Sequence, residues 1–426
     1  MTFQSQYNRR HILKGLAATA AATPWFVSGR ALGLEDKAPA NERVTVGHIG
    51  VGNRGRSLFG SFMRLNECQV VAAADCYQNR REQIAKVCKG KAYRDFRDLL
   101  ARDDIDAVVI ATPDHWHVPV GVLAARAKKD VYIEKPLGVC LEQDLAMREV
   151  VAEHDLMFQY GTQQRSMAHC WRGCELVRQG AVGDLHTIEV DAPNGGTGGS
   201  TQKAPVPDGF DFQMWRGPAP RRDYTTDLCK TPGTYWVYDY SIGYLGGWGA
   251  HPLDIMVWGS DADLSGLVTV EGTGKVPTKG LYDCVYDWDM NIMLGDVKLV
   301  FRPGGDRTKF IGDDGWIQVA RAQNRTTASD PALNPVNPDK PVEPREDSLQ
   351  VSNNHSGNFI QAVKTRQHPV SNITDAVRSD VISLLCDIAV RTGQKITWDP
   401  KKRELVDPSP EAADMWSRQL RGPWTL

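Results

Sequence analysis

The chain has 426 residues, of which 41% are hydrophobic and 24% are charged. This length suggests two domains, and this composition is typical of globular proteins with full-sized cores. The 50 Lys and Arg residues and the 52 Asp and Glu residues give a formal net charge of −2, which supplies no field to attract nucleic acid or an anionic membrane. No apolar run reaches the roughly 18 residues of a spanning helix. We therefore expect neither a nucleic-acid partner nor a membrane span.

The N-terminus predicts export from the cytoplasm. Residues 9–14 read RRHILK, which resembles the twin-arginine motif, and the mildly apolar segment 15–27 precedes small residues that fit a cleavage site. We predict a signal peptide over 1–33, a linker over 34–42, a location in the periplasm or elsewhere outside the cytoplasm, and the twin-arginine export machinery as a partner. The alternative is an amphipathic or disordered N-terminal arm.

From residue 43 the chain alternates apolar strands with helices. The strands are expected at 44–49, 69–75, 106–112, 130–135 and 156–161. Strands that are apolar throughout and separated by helices are typical of a parallel sheet covered on both faces. The predicted fold class is α/β, with a doubly wound Rossmann domain over 43–165 and a second domain over 166–426.

Glycines mark the end of the first strand. Gly50, Gly52 and Gly55 form Gly-x-Gly-x-x-Gly at a strand-to-helix junction, and Asp75 ends the next strand. This context is the fingerprint of dinucleotide binding. Gly50 permits the tight turn, Gly52 lets the backbone approach the pyrophosphate, and the helix N-terminus holds the phosphates through its free N–H groups. The alternative is a glycine turn that closes an ordinary strand–helix unit.

Asp75 bears on which dinucleotide is bound. Its carboxylate can accept hydrogen bonds from the ribose hydroxyls and would repel a 2′-phosphate, which favours NAD. Arg80 and Arg81 follow closely in the sequence and keep NADP open.

Polar residues follow three later strands of the predicted sheet. They are TPDHWH (112–117), EKP (134–136) and GTQQR (161–165). Ligands of open parallel sheets lie outside the carboxyl ends of the strands, so these clusters point to one crevice. His115 and His117 alternate as a pair of metal ligands would, but no further ligand is near in sequence. We favour cofactor contacts or helix capping and predict no metal.

The second domain has its own signals. Segment 185–193 alternates as a strand does, 194–202 is a glycine-rich loop, and 372–392 has helical periodicity with Gly393 as its stop. Segment 330–347 is rich in proline and charge and is predicted to be an excursion. Aromatic rings dense in this domain could stack on pyranose faces or serve as packing residues: Trp215, Tyr224, Tyr235, Trp236, Tyr238, Tyr240, Tyr244, Trp248 and Trp258.

His251 is the catalytic candidate of the second domain. A neutral imidazole near pH 7 suits removal of a hydroxyl proton as a hydride leaves the carbon. Asp254 lies on the same face if a helix begins near Ala250. The alternative is a histidine that simply hydrogen-bonds a loop.

These motifs in this order resemble the Gfo/Idh/MocA oxidoreductase superfamily, in a twin-arginine-exported member. The resemblance is carried by Gly-x-Gly-x-x-Gly, TPDHWH, EKP and GGWGAHPLD (246–254), and it extends through FQMWRGPAP (212–220) and 355–379. It implies a second α/β domain whose open, mostly antiparallel sheet covers the nicotinamide end, with sugars or polyols as substrates. It also implies homo-oligomers, dimers or tetramers formed through the open sheet face.

The resemblance also assigns roles to residues. It implies that Lys135 lies between nicotinamide and substrate, often before a cis proline, and it favours catalysis by His251. Other residues are expected to contact substrate: Arg165, Tyr240, Trp248 and Asp254. The cofactor is expected to contact the three glycines and Lys135. It is also expected to contact Asn53, Arg54, Asp75, Asp114, Trp116, His117, Glu134 and Gln163.

One position departs from the superfamily pattern. Many such dehydrogenases carry a carboxylate four residues before the histidine, where this chain has Gly247. The expected Lys–Asp–His relay is therefore incomplete. Asp239, Tyr240 and Asp254 are the candidates to replace the missing carboxylate.

The functional hypothesis is an exported enzyme that holds NAD tightly and transfers hydride at a ring hydroxyl carbon of a sugar or glycoside. Because soluble NAD is absent outside the cytoplasm, the cofactor would be recycled within the site. One alternative is a redox-neutral glycosidase or lyase that acts through a transient keto-sugar, which the missing carboxylate favours. Another is a non-catalytic sugar-binding protein that kept the fold.

Overall fold

The computed structural model describes residues 38–39, 42–260, 265–333 and 346–426. The predicted signal peptide and most of the predicted linker lie outside these residues, as does most of the segment 330–347. Within the described ranges, no helix combines the length and the apolar character needed to cross a bilayer.

The first sheet is parallel. Its described strands are β1 (Val44–Ile49), β2 (Cys68–Ala74), β3 (Lys91–Tyr93), β4 (Ala107–Ile110), β5 (Asp130–Ile133) and β6 (Phe158–Tyr160). Their order is β3-β2-β1-β4-β5-β6. Every residue of β4 and β5 is buried, which explains why these segments are apolar apart from Asp130. The predicted Rossmann fold is confirmed.

Helices alternate with these strands. They are α1 (Asn53–Met63), α2 (Gln78–Cys88), α3 (Phe96–Leu100), α4 (His117–Arg126) and α5 (Leu141–Glu153). β1 pairs with β2 on one side and with β4 on the other. The order of strands therefore reverses at β1, and the carboxyl end of β1 is the point where such sheets bind nucleotides.

The second sheet is open and mostly antiparallel. Its described strands are β7 (Leu185–Ala192), β8 (Val268–Lys275), β9 (Asp287–Leu294), β10 (Val297–Pro303), β11 (Arg307–Gly312), β12 (Gly315–Ala320), β13 (Arg325–Ala328), β14 (Ile396–Asp399) and β15 (Glu404–Leu405). Their order is β13-β12-β11-β7-β10-β9-β8-β14-β15, and β7 with β10 is a parallel pair. Buried residues alternate with less buried ones along β9, so one face of the sheet is covered. This confirms the predicted architecture.

The remaining helices pack around this sheet and the first one. They are α6 (Ala168–Arg178), α7 (Phe212–Arg216), α8 (Tyr244–Gly247), α9 (Ala250–Gly259), α10 (His355–Thr365), α11 (Ile373–Thr392) and α12 (Pro410–Asp414). Asn372 caps α11 through its side chain, and Gly393 ends it at φ +65°, as the sequence predicts. α11 contacts α9, β8 and α5, so it connects the two sheets.

Candidate active site

A cavity of about 630 Å³ lies at the carboxyl ends of the Rossmann strands. Its opposite wall comes from second-domain residues between Met214 and Tyr235. Most of the residues predicted to bind cofactor line it: Gly50, Gly52, Asn53, Arg54, Asp75, Asp114, Trp116, His117, Glu134 and Lys135. Gly55 and Gln163 do not line it and support residues that do.

The glycine loop fits a pyrophosphate. Gly50 has a φ of +80°, and a Cβ there would lie 2.7 Å from the backbone of Ala111. A Cβ at Gly55 would lie 2.1 Å from the carbonyl oxygen of Gly50, so α1 approaches the loop more closely than a side chain permits. α1 begins at Asn53 without a side-chain cap, which leaves the N–H groups of its first turn available to phosphate oxygens.

Asp75 is held rigidly beside this loop. Its carboxylate accepts hydrogen bonds from the backbone N–H of Val51 at 2.7 Å and of Tyr77 at 2.8 Å. Burial raises the pKa of Asp75, and these hydrogen bonds oppose that shift. The Arg80 guanidinium lies 3.9 Å from the centre of the Tyr77 ring. The carboxylate is therefore placed to accept hydrogen bonds from the ribose hydroxyls of NAD. Because the Arg80 guanidinium lies nearby, NADP remains an alternative cofactor.

Glu134 is fixed from two directions. Arg54 Nε donates to its Oε1 at 2.8 Å, and Gln163 Nε2 donates to the same oxygen at 2.9 Å. Gln163 also donates to the Tyr132 hydroxyl at 2.7 Å. Gln163 thus braces Glu134 from outside the cavity, which explains its place beside the site without lining it.

Lys135 lies in the wall of the cavity, followed by a cis peptide bond to Pro136. Two contacts hold this turn: Nδ1 of His117 lies 2.6 Å from the carbonyl oxygen of Pro136, and the backbone N–H of Leu137 donates to Asp380 at 3.0 Å. His117 therefore positions the turn that carries Lys135.

His115 faces away from this turn. Its Nε2 lies 3.1 Å from the carbonyl oxygen of Trp215, so it joins the first domain to the second. Across the part of the chain that the structure describes, no group of three or more His, Cys, Asp or Glu side chains is placed to hold a metal ion.

His251 lies in the first turn of α9 and is 6% exposed. Its Nδ1 lies 2.9 Å from Oε1 of Gln164, and Nε2 of Gln164 donates to Asp254 at 2.7 Å. Burial lowers the pKa of His251 well below its usual value, and basic side chains add to the shift: Arg321, Lys135, Arg54 and His355. His251 is therefore neutral at pH 7, and it is not among the residues that line the cofactor cavity.

Arg165 and Asp254 lie behind His251. Arg165 donates to both carboxylate oxygens of Asp254, with Nη2 at 2.7 Å from Oδ1, and to Asp375 at 2.7 Å. Their side chains are 1% and 0% exposed, and neither residue lines the cavity. The geometry gives both residues a supporting role, because their polar atoms are used in this buried ion pair. Their contact with substrate stays a prediction.

Tyr240 and Trp248 lie outside the cofactor cavity. Tyr240 is fully buried, with its ring centre 4.8 Å from that of His115, and it does not line the cavity. It packs between the domains, and its contact with substrate stays a prediction. Trp248 donates from Nε1 to Asp306 at 3.0 Å and its ring centre lies 6.5 Å from that of His251. Trp248 therefore remains close to the histidine, outside the cofactor cavity.

The structure separates the three candidates for the missing carboxylate. Asp239 forms an ion pair with Arg222, and Tyr240 packs as described. Only Asp254, of the three, is connected to His251, through Gln164. Around Gly247 a Cβ would meet no atom within 4 Å, so the position four residues before the histidine faces open space.

Second-domain residues that the sequence did not single out for the cofactor also line the cavity: Met214, Thr226, Cys229, Lys230, Thr231 and Thr234. They reach the site from a segment more than a hundred residues after the glycine loop. The high aromatic content of that region was the one sequence signal near them.

A dinucleotide cavity at the switch point of a Rossmann sheet, walled by a second α/β domain that carries a neutral histidine, defines an NAD(P)-dependent oxidoreductase. The chain belongs to the Gfo/Idh/MocA family. Residues 44–162 match its NAD-binding Rossmann fold, and residues 173–289 and 340–426 match its C-terminal α/β domain. The prediction that the cofactor is NAD is confirmed by membership of this family.

Curated relatives match less of the chain. The chain is 32% identical over 212 residues to glycosyl hydrolase family 109 protein 2 of Shewanella sp. strain ANA-3. It is 31% identical over 210 residues to an alpha-N-acetylgalactosaminidase of Shewanella oneidensis. Each match covers 42% of this chain, and the chain spans slightly less than half of these relatives, 45% and 44%.

Solved structures share the fold at low identity. An aldose-aldose oxidoreductase from Caulobacter crescentus, complexed with glycerol, is 17% identical with a TM-score of 0.60, over 83% of this chain and 99% of that one. The WlbA dehydrogenase of Chromobacterium violaceum, in complex with NADH and UDP-GlcNAcA, is 13% identical with a TM-score of 0.64, over 85% and 97%.

Proposed function

We propose that this enzyme acts on a sugar or glycoside at a ring hydroxyl carbon, with a tightly held NAD that is recycled within the site. The observation that carries the proposal is Lys135 in the cavity wall, with His251 kept neutral by burial in the second domain. When bound, NAD supplies a hydride acceptor and donor. The names of the curated relatives and solved structures, which act on sugars, support the choice of substrate class.

The two candidate catalytic residues have complementary tasks. The Lys135 ammonium group would stabilise negative charge on the substrate oxygen as its proton leaves. His251 would take that proton, because burial keeps its imidazole neutral and ready to act as a base. Glu134, held by Arg54 and Gln163, would keep the wall beside Lys135 in a fixed geometry.

Contacts at the far end of the cavity support tight retention of the cofactor. Tyr77, next to Asp75, stacks on Phe210 of the second domain with ring centres 4.0 Å apart. The backbone of Gln78 donates to Gly209 at 2.8 Å, and that of Asp211 donates to Cys76 at 3.0 Å. A second-domain segment therefore closes over the end where adenosine would lie, and this enclosure would slow dissociation.

The same proposal includes location and assembly. The RRHILK sequence supports twin-arginine export of the folded, loaded protein to the periplasm, with the export machinery as a partner. The uncovered face of the second sheet supports a homo-oligomer, a dimer or a tetramer. Fractionation of cells would test the location, and size-exclusion chromatography with light scattering would test the assembly.

A redox-neutral glycosidase is the second candidate. The names of the curated relatives favour it, since those proteins are glycosyl hydrolases. In such a reaction, transfer of hydride to NAD would oxidise the ring hydroxyl and acidify the neighbouring C–H. Loss of that proton would expel the leaving group, water would add to the resulting unsaturated ketone, and return of the hydride would restore the hydroxyl of the sugar. Gly247, in place of the superfamily carboxylate, also fits a departure from simple dehydrogenation.

The test uses the full-length protein purified without added cofactor. Denaturation should release nicotinamide, detected by its absorbance, in an amount close to one per chain; its absence would contradict tight retention. The same protein is then incubated with aryl glycosides and with 3-keto sugars. Cleavage without net NADH supports the redox-neutral reaction, and net oxidation or reduction supports the oxidoreductase. Saturable binding without turnover would leave a sugar-binding protein.

A further inference from the structure

We propose that Gln164 is a positioning residue that holds His251 as the Nδ1–H tautomer, which leaves Nε2 with the lone pair that accepts the substrate proton. The inference deepens the proposed function and rests on it for the catalytic role of His251. The tautomer itself does not depend on that role.

The orientation of the Gln164 amide follows from its surroundings. Nε2 of Gln164 lies 3.2 Å from the backbone carbonyl oxygen of His251 and 2.7 Å from Oδ2 of Asp254. A carbonyl oxygen can only accept a hydrogen bond, so the NH₂ end of the amide must lie on this side. The other end, Oε1, then faces Nδ1 of His251 at 2.9 Å.

This orientation determines the proton on the imidazole. Oε1 of Gln164 carries no hydrogen and can only accept, so Nδ1 of His251 must donate. In a neutral imidazole the proton on Nδ1 leaves Nε2 unprotonated. A base with this tautomer takes a proton through Nε2.

The network behind Gln164 prevents the amide from turning over. Gln164 is 1% exposed. Asp254, which accepts from its NH₂ group, is held by two nitrogens of Arg165, and Arg165 is held in turn by Asp375 and by the carbonyl oxygen of Val370 at 2.9 Å. A turned amide would place its oxygen against a carboxylate and a carbonyl, which repel it.

Gln164 thereby does part of the work that a carboxylate does elsewhere, but without its charge. Gly247 leaves open space at the position where the superfamily pattern has the carboxylate. A neutral amide fixes the tautomer but does not favour the imidazolium form as a carboxylate would. Arg321, Lys135, Arg54 and His355 all disfavour protonation of His251. The carboxylate of Asp254, which lies beyond Gln164, is paired with Arg165.

The decisive experiment compares Gln164→Met with Gln164→Glu in the full-length protein. Histidine labelled with ¹⁵N reports the tautomer of each imidazole by NMR, and a His251→Asn variant assigns the signal among the ten histidines. We expect Nδ1–H in the wild type, a mixture of tautomers in Gln164→Met, and Nδ1–H in Gln164→Glu. Glutamate can keep the arrangement as the neutral acid, whose hydroxyl donates to Asp254 while its carbonyl oxygen faces Nδ1. Methionine keeps only the shape.

Turnover should follow the tautomer. We expect kcat to fall about 10- to 100-fold in Gln164→Met, in the range that outer partners of an orienting network produce, with KM little changed and recovery toward wild type in Gln164→Glu. Gln143→Met is the matched control, since Gln143 is as buried and accepts from the backbone of Val139, and its kcat should not change.

The outcomes separate the two proposals. Nδ1–H retained in Gln164→Met, or Nε2–H in the wild type, would overturn the role of Gln164. An unchanged kcat in a Gln164→Met variant whose tautomer is lost would also overturn it. A wild-type protein that turns over no sugar contradicts the proposed function instead, and the NMR result is unaffected because it is measured without substrate.

Discussion

The two walls of the active site are built in different ways. On the cofactor wall, Gly50, Asp75 and Lys135 each follow a strand of one sheet, and hydrogen bonds to nearby backbone hold Asp75. On the histidine wall, His251 is held by a buried chain of side chains that meets Arg165 and Asp375. Loss of a functional side chain on the first wall should change binding and chemistry, whereas loss of a side chain from the buried chain on the second should change stability as well.

The buried ion pair offers the largest test of this difference. Replacement of Arg165 by Met leaves Asp254 charged and uncompensated, so we expect the free energy of unfolding to fall by about 3–5 kcal/mol. Urea denaturation measures it. Arg302→Met breaks an exposed pair with Asp289 and should cost less than about 1 kcal/mol. A normal stability with a raised KM would restore the direct contact between Arg165 and substrate predicted from the sequence.

Lys135 tests the chemistry of the cofactor wall. Lys135→Met removes the positive charge beside the reacting oxygen, and we expect kcat to fall about 10²–10³-fold while nicotinamide content and unfolding midpoint stay near wild type. Lys129→Met is the control, because Lys129 is buried and its ammonium group donates to the carbonyl of Arg102 at 2.7 Å. It should lower stability and leave kcat unchanged, and the reverse pattern would exclude the role of Lys135.

A pair of glycines compares the walls directly. Gly50→Ala places a Cβ 2.7 Å from backbone atoms at a φ of +80°, and we expect a loss of about 1–3 kcal/mol from the backbone conformation alone, together with loss of bound nicotinamide. Gly247→Ala enters open space and should change stability by less than about 0.5 kcal/mol. If Gly247→Ala nevertheless raises KM, the open space is part of the substrate site.

His48 gives the smallest effect and concerns the first sheet alone. It is fully buried in β1 between Phe59 and Phe62, and burial lowers its pKa from 6.5 to about 3. Between pH 6.5 and 3, His48 is therefore protonated in the unfolded chain and neutral in the folded chain. Stability is lost as pH falls through this range. We expect the change in the free energy of unfolding caused by His48→Leu to be more favourable at pH 5.5 than at pH 7.5, by about 1.4 kcal/mol. A difference independent of pH would show that His48 takes up its proton with the same pKa in the folded chain as in the unfolded chain.

The sequence predicts the cofactor wall well because its determinants are local. The glycines, Asp75 and the turn after Ile133 follow strands whose burial makes them recognisable, and most of the residues predicted there line the cavity. The bounds of the strands are off by one or two residues, since the strand expected at 106–112 spans Ala107–Ile110.

The histidine wall could not be derived in the same way. Gln164, Asp254 and Asp375 are far apart in the sequence, and only the packing of α9 and α11 against the first domain brings them together. Arg165 and Asp254 have the residue types of a sugar-binding site, and nothing local shows that each is satisfied by the other. A buried ion pair and a ligand contact have the same sequence signature.

The stacking of Tyr77 on Phe210 has a consequence for how the protein is made. The glycine loop and the residues that close over it belong to different domains, so under the proposed tight retention a dinucleotide would enter before those domains meet. Each chain would then carry one cofactor for its lifetime. Adding NAD to the folded apoprotein would refill it only as fast as Phe210 and its neighbours detach from Tyr77.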